Sequence, residues 1–171
     1  MTDHVIQLNA AQVPLRHSTL ADGVSPDGLP PTTPFGPVID RHLPACRRSG
    51  APLVVLAIVI EGLEAAAQGH GEAVANQLRG AVWSRLKRRL RASDLIVCVG
   101  TAEFGAILLN VGAPVAAIVE ARLSTALAQT YGIGGLEIAL SARIGAAVFP
   151  QAGSTGVALA AAALENASVK R

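Results

Sequence analysis

The sequence predicts an α/β sandwich in which helices flank a central mixed β-sheet. The first observation is a continuous apolar run from Leu53 to Ile60, rich in β-branched residues, which is typical of a strand covered on both faces. The second is a pair of apolar runs around Gly100-Thr101, which predicts a β-hairpin over residues 95–109. The third is the alternation of these runs with helical patterns, which is the order of elements expected in an α/β domain.

Each helix is predicted from its apolar spacing and from the residues at its ends. From Glu72 to Leu90 the apolar residues form one stripe, and the last turn is strongly basic, which complements the negative end of the helix dipole. Pro114 opens the next helix, where its missing N–H costs nothing. The other predicted elements are a kinked helix from Phe35 to Cys46, an Ala-rich stretch from Glu61 to Gly71, a helix from Ala113 to Tyr131, a strand from Leu136 to Phe149 interrupted near Arg143–Gly145, and a helix from Val157 to Val169.

Composition excludes several classes of protein. The chain has 171 residues, of which 51% are hydrophobic and 15% charged, and a net charge of +2 that does not suit a DNA- or RNA-coating protein. Its longest apolar run is too short for a membrane span, and its N-terminus has no secretory signal, so no direct membrane insertion and a cytoplasmic location are expected. Cys46 and Cys98 have neither metal-site spacing nor a disulfide framework. Pro and Gly end an aperiodic segment, so we expect a flexible arm over residues 1–33 and one domain over 34–171.

The hairpin and the turn before it carry the chemistry. Gly100 in the first turn position suits a type II′ geometry, and Thr101 in the second argues against type I′. The preceding turn, Arg91-Ala92-Ser93-Asp94, places an arginine and a carboxylate next to the first strand. Arg122 borders the buried stripe of the following helix.

These residues make the segment from Leu53 to Arg171 resemble the GGDEF domain of diguanylate cyclases. Gly100-Thr101-Ala102-Glu103-Phe104 stands where that family carries its name motif, and Arg91–Leu95, Ile144-Gly145 and Phe149-Pro150 follow in the same order and spacing. The resemblance implies a nucleotide-cyclase-like fold.

The departures from the family motif predict that the domain is degenerate and not an enzyme. In the family, two acids hold the divalent metal that neutralises the triphosphate, and the resemblance places Ala102 and Val59 at those positions. A two-residue slip would put Glu61 at the second position, but Ala102 would remain. The guanine-reading positions fall near Ala67 and at Glu72, and the phosphate-binding lysine falls at Ser168. We therefore predict no catalytic residues, no metal and no cofactor.

A second site of the family is matched in full. The resemblance implies an R-x-x-D product-inhibition site, with Arg91 and Asp94 in register and Arg122 at the matching helix position. Arginine can meet the O6/N7 edge of guanine, a carboxylate can accept from its N–H donors, and a second arginine can pair with phosphate. Arg91, Asp94 and Arg122 are thus predicted to bind cyclic di-GMP without metal. The alternative is that Arg91 and Asp94 form only a surface salt bridge, worth at most about 1 kcal/mol.

The sequence leaves three functional hypotheses. The first is a cyclic di-GMP receptor that regulates a protein partner, by analogy with receptors controlling biofilm exopolysaccharide secretion of the cellulose or Pel type. The second is a nucleotide-independent interaction or dimerisation module, which includes a homodimer. The third is a residual nucleotide enzyme using Glu61, Glu72 and Glu103.

Overall fold

The structure, a computed structural model, describes residues 31–169, which form six helices and six strands. In chain order these elements are α1 (Phe35–Asp40), α2 (Leu43–Ser49), β1 (Leu53–Glu61), α3 (Leu63–His70), α4 (Glu72–Arg89), β2 (Leu95–Cys98), β3 (Glu103–Leu109), α5 (Ala113–Leu127), β4 (Tyr131–Ile133), β5 (Leu136–Ile138), β6 (Ser141–Phe149) and α6 (Gly156–Val169). The expected α/β architecture and the hairpin over residues 95–109 are confirmed.

The central sheet has four strands in the order β2-β3-β1-β6, and every neighbouring pair is antiparallel. The prediction of a mixed sheet is wrong in this respect. Strands that share a direction, β1 with β2 and β3 with β6, are each separated by one antiparallel strand, so they are never hydrogen-bonded to each other. A separate two-stranded sheet is formed by β4 and β5.

β1 is buried on both faces, as its sequence predicts, and it separates two apolar layers. Val54, Leu56 and Ile58 pack with residues of α3, α4 and α5 on one face. Leu53 and Val55 pack with residues of α1, α2 and α6 on the other. This follows from the two-residue period of a strand, which sends alternate side chains to opposite faces. The first layer is the one that carries the basic end of α4 and the exposed face of α5.

Several element boundaries differ from the prediction. The first helix divides into two at Arg41–His42, and Pro44 lies in the first turn of α2, where proline is tolerated, so it does not kink a continuous helix. α5 ends at Leu127, and Tyr131 begins β4. The late strand is interrupted at Ala139–Leu140, whereas residues 143–145 lie inside β6 and pair with β1.

The hairpin tip is not a two-residue type II′ turn. That turn needs a positive φ at Gly100, and Gly100 is absent from the described residues with positive φ. Instead, the backbone N–H groups of Val99 and Gly100 both donate to Glu103 O, at 2.9 and 3.0 Å. The four-residue connection from Val99 to Ala102 spreads the tip over more chain than the sequence suggests.

The start of the described chain contacts the free edge of the sheet. Thr32 forms a parallel bridge with Cys98 at the end of β2, and Thr33 N donates to Cys98 O at 2.8 Å. The remainder of the predicted arm, residues 1–30, lies outside the described residues. No helix between residues 31 and 169 has the length and apolar character needed to cross a membrane.

Candidate functional site

The turn from Arg91 to Asp94 is closed by two hydrogen bonds. Asp94 N donates to Arg91 O at 3.0 Å, and Arg91 N donates to Asp94 Oδ2 at 2.9 Å. The spacing of three residues produces both bonds, since it brings the aspartate side chain back over the turn as in a helix capping box. The turn therefore has a fixed backbone, and one carboxylate oxygen is committed to holding it.

The other groups of the turn have no such commitment. Asp94 is half-buried, and its Oδ1 atom is buried without a hydrogen-bond partner. The Arg91 side chain is exposed, and the structure shows no ion pair between its guanidinium and the Asp94 carboxylate. The two residues therefore pair across the turn as the alternative expected, but through the Arg91 backbone N–H and not through a salt bridge. Within residues 31–169, the turn thus leaves one buried carboxylate oxygen without a hydrogen bond beside an arginine side chain that is exposed.

Arg122 reaches the same segment from α5. Its Nη2 atom donates to Arg89 O at 2.6 Å, and Arg89 is the last residue of α4. The last carbonyls of a helix have no intrahelical partner, so this bond satisfies one of them. A guanidinium carries five N–H donors, which leaves the exposed Arg122 side chain with four for a ligand. The three predicted residues are thus gathered around the end of α4.

A basic surface surrounds this point. Lys87, Arg88 and Arg89 are exposed in the last turn of α4, and Arg91 and Arg122 are exposed beside them. Positive side chains at this end complement the helix dipole and together attract anions.

A cavity of about 320 Å³ opens beside Arg122. Its lining consists of Arg89, Ala121, Arg122, Thr125, Ala126 and Gln129. The lining thus combines two arginines, one hydroxyl and one side-chain amide with two alanines. Thr125 and Gln129 are not among the site residues predicted from the sequence. They follow Arg122 by three and seven residues, a spacing that places all three on one side of the chain.

Arg85 holds α4 against the end of α5. Its Nη1 atom donates to Ala126 O at 3.0 Å and to Gln129 O at 2.7 Å, and its Nη2 atom donates to Thr130 O at 3.1 Å. The guanidinium also lies 3.7 Å from the centre of the Tyr131 ring. Burial raises the pKa of Tyr131, and the positive charge of Arg85 opposes this shift.

The hairpin tip bounds a different cavity, of about 250 Å³, between α3 and α4. Ala67, Glu72 and Ala102, the positions that the resemblance assigns to guanine reading and to metal, all line it. Asn76 and Arg79, which are not among the predicted site residues, line it as well. They lie one turn apart on α4, and this spacing alone could have placed them on the same face. Arg79 Nη2 donates to Cys98 Sγ at 3.6 Å, which places its side chain against the end of β2 next to the hairpin tip.

The residues at the metal positions of the family do not fit a divalent ion. Val59 and Ala102 supply no side-chain ligand, and Glu61 forms an ion pair with Arg143 at 2.7 Å and accepts a hydrogen bond from Ser141 at 3.0 Å, so both its carboxylate oxygens are engaged. Within residues 31–169 no group of three or more His, Cys, Asp and Glu side chains could hold an ion. Glu103 is exposed at the tip.

Solved structures with the same fold include several GGDEF domains. A sensory box/GGDEF family protein from Caulobacter crescentus is 25% identical, with a TM-score of 0.73 over 78% of this chain and 87% of that chain. The GGDEF domain of DgcB from the same species, crystallised in complex with c-di-GMP, has a TM-score of 0.76 over 90% of this chain and 91% of that chain. At 16% identity, the likeness to DgcB shows the fold alone.

Two curated relatives come from Pseudomonas aeruginosa. The cyclic di-GMP phosphodiesterase NbdA is 26% identical over 86% of this chain, and the bifunctional diguanylate cyclase/cyclic di-GMP phosphodiesterase MucR is 30% identical over 68% of it. This chain spans 18% and 17% of the lengths of these relatives.

The family match corrects the prediction that the chain is not an enzyme. The family described as "Diguanylate cyclase, GGDEF domain" matches residues 28–169, and diguanylate cyclases are enzymes. The prediction relied on the side chains at the family's metal and nucleotide positions, among them Ala102 and Val59 in place of two acids. Altered motif positions alone do not exclude activity, and Glu64 and Glu72 line the neighbouring cavity. From the extent of this match, the chain belongs to the GGDEF domain family of diguanylate cyclases.

Proposed function

We propose that this GGDEF domain is a cyclic di-GMP receptor that binds the dinucleotide at Arg91, Asp94 and Arg122. The observation that carries the proposal is that, among the described residues 31–169, Asp94 Oδ1 is buried without a hydrogen-bond partner and the exposed Arg91 side chain forms no ion pair. A buried acceptor without a partner costs about 1–3 kcal/mol, and a ligand that donates to it recovers that energy. Guanine offers N–H donors, and its O6/N7 edge accepts from arginine.

Arg122 suits the phosphate of the same ligand. Its free donors face a surface that Lys87, Arg88 and Arg89 make positive, and guanidinium–phosphate pairs are strong because both partners are charged. The arrangement uses fixed donors and one carboxylate, so binding requires no metal ion. The complex of DgcB with c-di-GMP supports the proposal to the extent that a domain of this fold can hold the dinucleotide.

The output of binding follows as part of the proposal. Ligand at the end of α4 would change the charge that this surface presents, and with it the contacts of the domain to a protein partner in the cytoplasm. The partner proposed first is a protein of biofilm exopolysaccharide secretion.

The test is isothermal titration of the protein with cyclic di-GMP, with and without EDTA. We expect micromolar binding that is insensitive to EDTA and about tenfold or more weaker in Arg91→Ala. The matched control is Arg48→Ala, because Arg48 is exposed on α2, in the layer on the other face of the sheet. GTP turnover with Mg²⁺ is measured on the same proteins as a separate readout.

Three results would count against the proposal. Absence of heat in the wild type would refute it, and unchanged affinity in Arg91→Ala would remove the assigned site. A wild type whose thermal midpoint and partner binding ignore the nucleotide would favour the nucleotide-independent interaction module.

A further inference from the structure

The cavity lined by Arg89, Thr125 and Gln129 has no role in the proposed R-x-x-D site. It shares only Arg122 with that site, yet its volume of about 320 Å³ lies in the range of small-molecule pockets. We propose that this cavity takes the second guanine base of cyclic di-GMP and that Gln129 reads its edge. This inference rests on the proposed function and deepens it.

Cyclic di-GMP needs a second group that can hydrogen-bond a guanine edge. Cyclic di-GMP contains two identical guanines, whereas Asp94 has one uncommitted carboxylate oxygen, since Oδ2 holds the Arg91 backbone. One base therefore uses the free oxygen, and the other needs its own acceptor. Oxygen and nitrogen on the Gln129 amide let it accept from a guanine N–H donor and donate to O6 at the same time.

The cavity walls suit the rest of the nucleotide. Ala121 and Ala126 provide small apolar surface for a flat base, and Arg89 and Arg122 bring two charges to the phosphate side. The Arg122 guanidinium is held toward Arg89 by its 2.6 Å bond to the Arg89 carbonyl. Both arginines are exposed, so the ligand needs no opening of the fold to reach them.

Gln129 is held at the backbone and free at the side chain. Its carbonyl accepts from Arg85 Nη1 at 2.7 Å, which fixes the position of the residue just beyond the end of α5. Its side-chain amide makes no hydrogen bond to any part of the chain described, residues 31–169. The fixed backbone brings the uncommitted amide to the edge of the cavity, and ordering that side chain is part of the cost of binding a base.

The test compares Gln129→Leu with Gln77→Leu, a matched change at an exposed glutamine in the first half of α4. Titration with cyclic di-GMP should show about tenfold weaker binding for Gln129→Leu and wild-type binding for Gln77→Leu. In the wild type, the NMR signals of the Gln129 side-chain amide should shift on adding cyclic di-GMP, and those of Gln77 should not. Equal thermal midpoints of the unliganded variants show that both are folded.

The outcomes separate this inference from the proposed function. If Arg91→Ala loses binding but Gln129→Leu binds like the wild type, the Gln129 assignment is wrong and the R-x-x-D site stands. If Gln129→Leu weakens binding while the amide signals stay still, the residue acts on structure, which also refutes direct reading. If the wild type binds no cyclic di-GMP, the proposed function and this inference both fail.

Discussion

Arg85→Ala tests whether one side chain holds the end of α5 in place. The substitution removes three charge-assisted hydrogen bonds, to Ala126 O, Gln129 O and Thr130 O, and the contact with the Tyr131 ring. Each bond to a charged donor is worth about 1.5–3 kcal/mol, but two of the three are exposed, so about 1 kcal/mol each is a fair value. The cation–π contact adds up to about 1 kcal/mol, and the loss in free energy of unfolding should be about 3–4 kcal/mol.

The assay is urea unfolding followed by the fluorescence of Trp83, the single tryptophan. Trp83 packs on Phe104 with 6.2 Å between ring centres, so its signal reports the layer that contains α4. Arg88→Ala is the matched control, since Arg88 lies one turn further along α4 and is exposed. A loss below about 0.5 kcal/mol for Arg85→Ala, or an equal loss in the control, would refute the reasoning.

Three further predictions concern packing and pH. Gly145→Ala should prevent stable folding, because its Cβ would collide with the backbone of Ala167 in α6, whereas Gly132→Ala, with open space at that position, should change the unfolding midpoint little. Burial and Arg41 lower the pKa of His42 below 6.5, so its stabilising effect is complete above that pH and lost as pH falls through the folded-state pKa; His42→Gln should flatten the acid side of a stability–pH curve. The pKa of Tyr131 is raised above 10.0, so its contribution is complete below pH 10.0 and lost as pH rises through the folded-state value, and Tyr131→Phe should remove that alkaline loss.

The parts of the fold that could be predicted are those whose pattern is local. β1 shows a continuous apolar run because both its faces are covered, and α4 shows a stripe because one of its faces is. The end of α5 could not be predicted in this way. Helical spacing continues through Ala128 to Tyr131, but Arg85 captures the carbonyls of Gln129 and Thr130 across a separation of more than forty residues. A tertiary contact therefore decides where the helix stops.

The residues of the candidate site also divide into those that could be predicted from a local pattern and those that could not. Arg91 and Asp94 belong to one turn, so their proximity could be predicted from their spacing in the sequence. Arg122 could be predicted from its position in the helix. The bond between Asp94 Oδ2 and Arg91 N could not be foreseen, because the sequence equally allowed a salt bridge between the two side chains. Nor could Gln129, whose position depends on Arg85. A residue whose role depends on contact with a different helix or strand produces no periodic pattern in the sequence.

The turn and the hairpin tip are held by different parts of the molecule, although only β2 separates them. The turn is fixed by its own hydrogen bonds, and Arg122 of α5 binds the α4 end beside it, at Arg89. The tip is fixed by the bonds of Val99 and Gly100 to Glu103 and by the pairing of Glu103 with Val59. We therefore expect a substitution at Arg91 to leave the tip and its neighbouring cavity unchanged. The proposed nucleotide binding at the turn and any turnover of GTP can consequently be measured separately, and a change in the first without the second would show that the R-x-x-D turn acts as a separate sensor.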